Sequence, residues 1–211
     1  MWRDISIPLS VATPEWPGDQ RFTCRWTARR EQGSNVNLSS VSSSLHTGTH
    51  ADAPLHVHSN WPASELLDVG AFMGEATVLH WEAALHSDGC ITAAWLEREI
   101  GRHAVSRLLL RTDCTLAGGA FPKDWPALDS AAANWLVDHQ VVLWGVDTPS
   151  VDRKQSEELE IHHLLLGHGI CIIENLDLRN IDAGNYELLA PPLAIEGADA
   201  APLRALLRSN S

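Results

Sequence analysis

The sequence is short of the features that mark membranes, nucleic acid or secretion. Its longest apolar runs, such as Val141 to Val146 and Ile170 to Ile173, fall far below the roughly 18–20 residues that span a bilayer. Lys and Arg number 15 against 27 Asp and Glu, a net charge of −12, and no stretch gathers the basic residues. A phosphate backbone finds no footprint in that distribution, so nucleic acid is not expected as a partner. The opening Met1-Trp2-Arg3-Asp4-Ile5-Ser6 lacks the apolar core and small-residue cleavage site of a secretory leader, which predicts a cytoplasmic protein. The four cysteines, Cys24, Cys90, Cys114 and Cys171, are too widely spaced for a zinc ribbon or a disulfide scaffold and read as ordinary buried thiols. No Pro/Gly/Ser-rich linker, repeat or low-complexity tract divides the chain, so residues 1–211 are expected to form one domain. A Gly-x-Ser-x-Gly nucleophile elbow is also missing, which argues against serine hydrolysis.

Short apolar or β-branched runs predict strands near 21–28, 35–45, 75–81, 106–111, 141–147 and 170–176. Helices are expected between several of them. Asp129 or Ser130 can cap one through Trp135 and Leu136 that ends near His139. Ser156 can cap a second, with Glu157 and Glu158 in its first turn and Gly167 or Gly169 to stop it, and a third is expected near 200–208. Strands alternating with helices give a fold class of α/β, a single mixed domain.

Histidine is abundant, at 11 residues, and its spacing is informative. The stretch Leu45-His46-Thr47-Gly48-Thr49-His50-Ala51-Asp52-Ala53-Pro54-Leu55-His56 sets His46, His50, Asp52 and His56 at offsets of four, two and four. A helix would turn Asp52 away from the two histidines, and Gly48 and Pro54 both oppose one, so a compact loop after a strand is expected. Gly48 permits a bend with positive φ, and Pro54 stiffens the exit. Two neutral imidazoles and a carboxylate suit zinc or manganese. His56 is left over, and a histidine beside a metal can shuttle protons near neutral pH. Any one of these histidines alone is read as a backbone-bonded loop residue; the four together are read as a metal site.

The second half offers His162, on the helix after Ser156, and Glu174, inside the otherwise apolar run Ile170 to Leu176. A carboxylate there is costly to bury without a cation, unless it faces outward from a half-buried strand. His163 and His168 are expected to face solvent or cap the helix end. Trp16, fixed between Pro14 and Pro17, either presents its ring to an aromatic substrate or packs on the core. Gly145-Val146-Asp147-Thr148-Pro149-Ser150 ends a strand in a turn and is expected to support the site.

The run His46-Thr47-Gly48-Thr49-His50-Ala51-Asp52-Ala53-Pro54-Leu55-His56 resembles the signature of the metal-dependent cyclase/hydrolase family. The likeness continues through Ile5-Ser6-Ile7-Pro8-Leu9, Trp16-Pro17-Gly18-Asp19, Leu109-Leu110-Arg111-Thr112, Gly145 to Ser150, Tyr186 to Ala190 and Pro202 to Ala205, and the whole chain looks like the family's bacterial kynurenine formamidases. The resemblance implies a swivelling β/β/α fold, a homodimer, and two divalent metal ions, zinc or else manganese. It implies that His46, His50 and Asp52 hold one metal and His162 the second, with Asp52 and Glu174 shared. It further implies that His56 is the general acid/base, that Trp16 lines the substrate pocket, and that the activity is hydrolysis of N-formyl-L-kynurenine. A sibling activity on a cyclic amide such as isatin, or metal binding without turnover, are the alternatives. Two positions depart from the pattern, since His163 and Gly169 stand where those formamidases carry arginine.

Overall fold

A computed structural model describes residues 1–82, 89–101 and 103–209. In its first half the strands are β1 (Trp2–Asp4), β2 (Thr23–Ala28), β3 (Leu38–Ser42), β4 (His50–Asp52), β5 (Met73–His80) and β6 (Cys90–Ile91), followed by helix α1 (Ala93–Ile100). Then come β7 (Arg107–Arg111), β8 (Ala127–Leu128), α2 (Ser130–Asp138), β9 (Leu143–Val146), α3 (Glu160–Gly167) and β10 (Cys171–Glu174). The chain closes with β11 (Gly184–Leu189), β12 (Ala200–Pro202) and β13 (Leu206–Ser209).

Nine strands form one mixed sheet in the order β1-β13-β11-β5-β7-β9-β10-β4-β12. Its centre, β5 through β7 and β9 to β10, is parallel, and both flanks are antiparallel. Successive strand residues point to opposite faces, and the two cores divide accordingly. Leu108, Leu110, Trp144, Val146 and Ile172 pack with the helices, through residues such as Leu96, Leu136 and Leu165. Leu109, Leu143 and Ile173 pack on the other face with Phe72, Val78 and Leu188. Burial on both faces explains why these central strands read as unbroken apolar runs. Gly145 is the gap in β9, where a Cβ would sit 2.5 Å from Leu109 Cδ2. The hairpin β2–β3 stands outside this sheet and leaves Trp26, Leu38 and Val41 exposed.

The expected helix at 130–138 is present, capped by Asp129, whose Oδ1 accepts from Ala132 N–H at 2.7 Å. At its far end the His139 ring donates from Nδ1 to the Trp135 carbonyl at 2.8 Å. Several other expectations are corrected. Residues 200–208 form no helix, because Ala200, Ala201 and Pro202 pair with β4 while Leu206 and Leu207 pair with β1 and β11. Ladder hydrogen bonds and core burial there outweigh the helical spacing of the alanines and leucines. Helix α3 begins at Glu160, so Ser156, Glu157 and Glu158 precede it; Ser156 Oγ accepts from Leu159 N–H in a turn instead. Of the cysteines only Cys171 is buried, and Cys24 lies exposed on β2. Helix α1 and the strand β11 had no counterpart among the sequence expectations.

Candidate metal centre and cavity

The register of β4 on β10 builds the site. Glu174 pairs with His50, Ile173 with Ala51 and Ile172 with Asp52. Ala51 shares the Ile173 core, so the alternation turns His50, Asp52 and Glu174 to the opposite face, where α3 delivers His162. The compact loop expected for 46–56 is therefore half correct. His46 to Thr49 form a bend around Gly48, with φ of 69°, but His50 to Asp52 are a sheet strand. A strand fixes these side chains more tightly than a loop would, because ladder bonds on both sides set their direction.

His50 Nε2 lies 3.2 Å and His46 Nδ1 3.1 Å from Asp52 Oδ1, and the two ring nitrogens are 3.0 Å apart. Across the carboxylate, His162 Nε2 lies 3.4 Å from Asp52 Oδ2 and 3.2 Å from Glu174 Oε1. His50 Nε2 is 3.6 Å from Glu174 Oε2. The other nitrogen of each ring meets an acceptor: His50 Nδ1 the Gly48 carbonyl at 2.9 Å, His162 Nδ1 Asp152 at 2.6 Å, and His46 Nε2 Asp199 at 3.1 Å. Acceptors so placed hold the proton of each outer nitrogen and leave the inner nitrogen to face a cation when one is bound.

Asp52 shows that this arrangement fits a cation. Both of its oxygens are buried and accept no well-directed hydrogen bond, although three imidazole nitrogens stand beside them. A buried carboxylate among imidazole nitrogens needs positive charge beside it, from protonated rings or from a bound cation that takes the proton's place. Burial opposes ionisation of Asp52, yet its three histidine neighbours hold its carboxyl well below the usual carboxylate range. Reciprocally, burial disfavours a charged His162, and Asp152, Asp52 and Glu174 nonetheless hold it well above the usual imidazole value. Burial likewise opposes the charged form of His46, but Asp199 and Asp52 push it up to about 10. His46, His50 and Asp52 form one group able to hold a metal ion, and Asp52, His162 and Glu174 a second.

A cavity of about 340 Å³ opens over these groups. His56 lines it, its ring centroid 4.3 Å from that of His46 and 5.6 Å from that of His162, with Nδ1 3.7 Å from Asp199 Oδ2. Trp16 lines it too, set edge-on to Phe121 at 5.5 Å and to Trp125 at 5.9 Å. Leu116, Pro149 and Leu159 add apolar wall. Trp125 Nε1 donates to the Asp152 carbonyl at 2.7 Å, which ties this aromatic wall to the residue orienting His162.

All the residues singled out from the sequence thus converge: His46, His50, Asp52, His162 and Glu174 within one cluster, and His56 and Trp16 on its cavity. His163 and His168 stay exposed, the latter bonded to the Leu164 carbonyl as a helix-end histidine. The Gly145 to Ser150 turn supports the site, since Thr148 O accepts from Asn175 N–H and Pro149 and Ser150 line the cavity. Three residues escaped sequence reasoning. Asp152 caps α3 through the Ile161 and His162 N–H groups as well as holding the His162 ring. Asp199 reaches His46 and lies beside His56, and the two histidines, set against its own burial, hold its carboxyl well below the usual range. Asn175 lines the cavity beside Glu174. None sits in a run of ligand-type residues, so no local spacing marks them.

A family model described as a putative cyclase matches residues 3–153. The chain is 43% identical over 211 residues to the kynurenine formamidase of Salinibacter ruber, covering 97% of this chain and 96% of that protein. It is 39% identical over 207 residues to the kynurenine formamidase of Bacillus cytotoxicus, covering 98% and 97%. Among solved structures, a predicted metal-dependent hydrolase from Bacillus stearothermophilus matches with a TM-score of 0.80 and 26% identity over 98% of this chain and 97% of that one. Isatin hydrolase A from Labrenzia aggregata, bound to benzyl benzoate, matches with a TM-score of 0.81 and 25% identity, covering 98% and 93%.

Proposed function

The chain belongs to the putative cyclase family, and from that premise we propose that it is a metal-dependent arylformamidase hydrolysing N-formyl-L-kynurenine to L-kynurenine and formate. The observation that carries the metal dependence is Asp52, whose two orphaned oxygens are flanked by imidazole nitrogens on either side. His46, His50 and Asp52 would hold one divalent cation and His162 a second, with Asp52 and Glu174 available to both; zinc is the first choice and manganese the second. When bound, such a pair lowers the pKa of water toward neutrality and polarises the formyl carbonyl.

The residues then divide the work. Trp16, with Phe121 and Leu116, receives the aryl ring and sets the formyl group over the cluster. His56 accepts a proton from the attacking water as its oxygen bonds to the formyl carbon. The same ring returns that proton to the anilino nitrogen as the C–N bond breaks, so the amine leaves neutral and the formic acid formed gives up its proton to solvent as formate. Asp199 lies beside His56 and bonds to the His46 ring, which holds the two imidazoles together at the mouth of the cluster. The full-length likeness to two kynurenine formamidases favours this substrate. The fold shared with isatin hydrolase A supports a second reading, the opening of a cyclic aryl amide in the same cavity.

No described helix is long and apolar enough to cross a membrane, and the location proposed for the enzyme is the cytoplasm. The hairpin standing apart from the main sheet is largely polar but exposes Trp26, Leu38 and Val41, which favours a homodimer. The deciding experiment strips the protein with a chelator, restores zinc or manganese in turn, and follows formate release from N-formylkynurenine with isatin assayed in parallel. Turnover that vanishes on stripping and returns with metal is expected, faster on N-formylkynurenine. Activity indifferent to chelation would remove the metal role, faster isatin opening would select the sibling activity, and bound metal without turnover on either substrate would leave a metal-binding protein.

A further inference from the structure

His56 and Asp199 belong to neither of the two ligand groups described above, yet with His46 they make a third. Asp199 is fixed by the sheet: it precedes β12, and its carbonyl accepts from Ala53 N–H at 2.9 Å, just before the turn that carries His56. His56 N–H in turn donates to the Ala53 carbonyl at 2.9 Å. Asp199 Oδ2 consequently stands 3.1 Å from His46 Nε2 and 3.7 Å from His56 Nδ1, and the two ring centroids are 4.3 Å apart. Ligand atoms around a tetrahedral zinc, at bonds of about 2.0–2.1 Å, lie about 3.4 Å from one another, and the two distances to Asp199 straddle that value. Each of the three residues offers one ligand atom, and these atoms all lie within 4.8 Å of one another. Exposure separates this group from the buried cluster. The side chains of His46, His56 and Asp199 are 20%, 27% and 48% exposed, whereas those of Asp52, His162 and Glu174 are at 0%, 3% and 5%.

We infer that His46, His56 and Asp199 form a third, exchangeable site for a divalent transition-metal cation, zinc above all, whose occupation inhibits the enzyme. Two imidazole nitrogens and a carboxylate suit zinc by type, and solvent completes the coordination from the open side. The buried cluster fills first, because there a cation relieves charge that water does not reach; the half-open group fills only when zinc is in excess. The third cation takes the place of the proton that His46 Nε2 shares with Asp199, and that proton passes to solvent. His46 then joins two cations through its two ring nitrogens. The consequence falls on His56. With Nδ1 bound to the cation, the ring carries its single proton on Nε2 and has no lone pair left to accept another from water. The inhibition rests on the hydrolase reading above and adds a control to that site; the binding of the third cation does not depend on it.

Zinc uptake and turnover, measured on the same samples, test this. Wild type, His56→Ala, Asp199→Asn and, as a control outside the cluster, His168→Ala are dialysed against rising free zinc, and bound zinc is counted per chain. Above the concentrations that fill the buried cluster, wild type and His168→Ala should take up about one equivalent more than His56→Ala and Asp199→Asn. Across that same step wild-type turnover of N-formylkynurenine should fall by about 10²- to 10⁴-fold, the worth of a general acid/base, down to the level of His56→Ala. The low rate left in His56→Ala should not respond to the extra zinc. Equal uptake by wild type and His56→Ala, loss of the same equivalent in His168→Ala, or inhibition that persists undiminished in His56→Ala would each overturn the third site. A wild type that gains the extra zinc but turns over no substrate would support the site, remove its inhibitory role and sink the hydrolase reading.

Discussion

Replacing Asp152 by asparagine changes one atom in a side chain that serves three donors. Oδ2 accepts from the His162 ring at 2.6 Å and from the His162 N–H at 3.1 Å, while Oδ1 accepts from the Ile161 N–H at 3.0 Å. An amide has one oxygen for these two directions. With the oxygen kept on His162, which offers two donors, the NH2 group faces the Ile161 N–H and the first turn of α3 loses a cap worth about 1–2 kcal/mol. The bond to the ring also falls from charge-assisted to neutral, roughly halving a contribution of about 1.5–3 kcal/mol. Together these amount to about 2–3 kcal/mol, or roughly 4–12 °C in melting temperature for a chain of this size. The ring becomes a poorer ligand as well, and loss of such an orienting partner costs about 10- to 100-fold in metal affinity. Thermal melting in excess chelator reads the first effect, and competition with a chromogenic chelator reads the second. An Asp152→Asn protein melting within about 1 °C of wild type, with metal affinity within about twofold, would refute the reasoning, because the carboxylate would then neither cap the helix nor orient His162.

His56→Ala should leave metal content unchanged while turnover falls by about 10²- to 10⁴-fold, the usual worth of a general acid/base; a near wild-type rate would remove His56 from proton transfer. Asp147 supplies a pH dependence. Burial pushes its carboxyl up to about 6, against hydrogen bonds from Thr112 and Asp113 that pull it down. A folded-state value above the unfolded one means that its stabilising contribution is complete below pH 3.8 and is lost as pH rises through about 6. A shift of that size corresponds to at most about 3 kcal/mol. Chemical denaturation of wild type and Asp147→Asn should therefore show the wild type losing stability relative to the variant between about pH 4 and 7. A stability difference that stays constant, or moves in the wild type's favour, over that window would contradict the assignment.

The sequence by itself determined the ligand types and most of the framework. The central strands were legible because burial on both faces demands continuous apolar runs, and α2 because Asp129 and His139 mark its ends. The candidate site residues were legible because Gly48 and Pro54 frame His50 and Asp52, with His46 and His56 just outside them, and because a glutamate in an apolar strand is costly to bury without a cation. The tertiary structure alone decided what depends on pairing between distant segments. Residues 200–208 are strands because β4, β1 and β11 offer them ladder partners, which no local pattern encodes. The register of β4 on β10 turned His50, Asp52 and Glu174 to one face, and a one-residue slip would have scattered them. Asp152 and Asp199 meet His162 and His46 across 10 and 153 residues of chain, so their contacts appear only once the fold has brought those partners within hydrogen-bond reach.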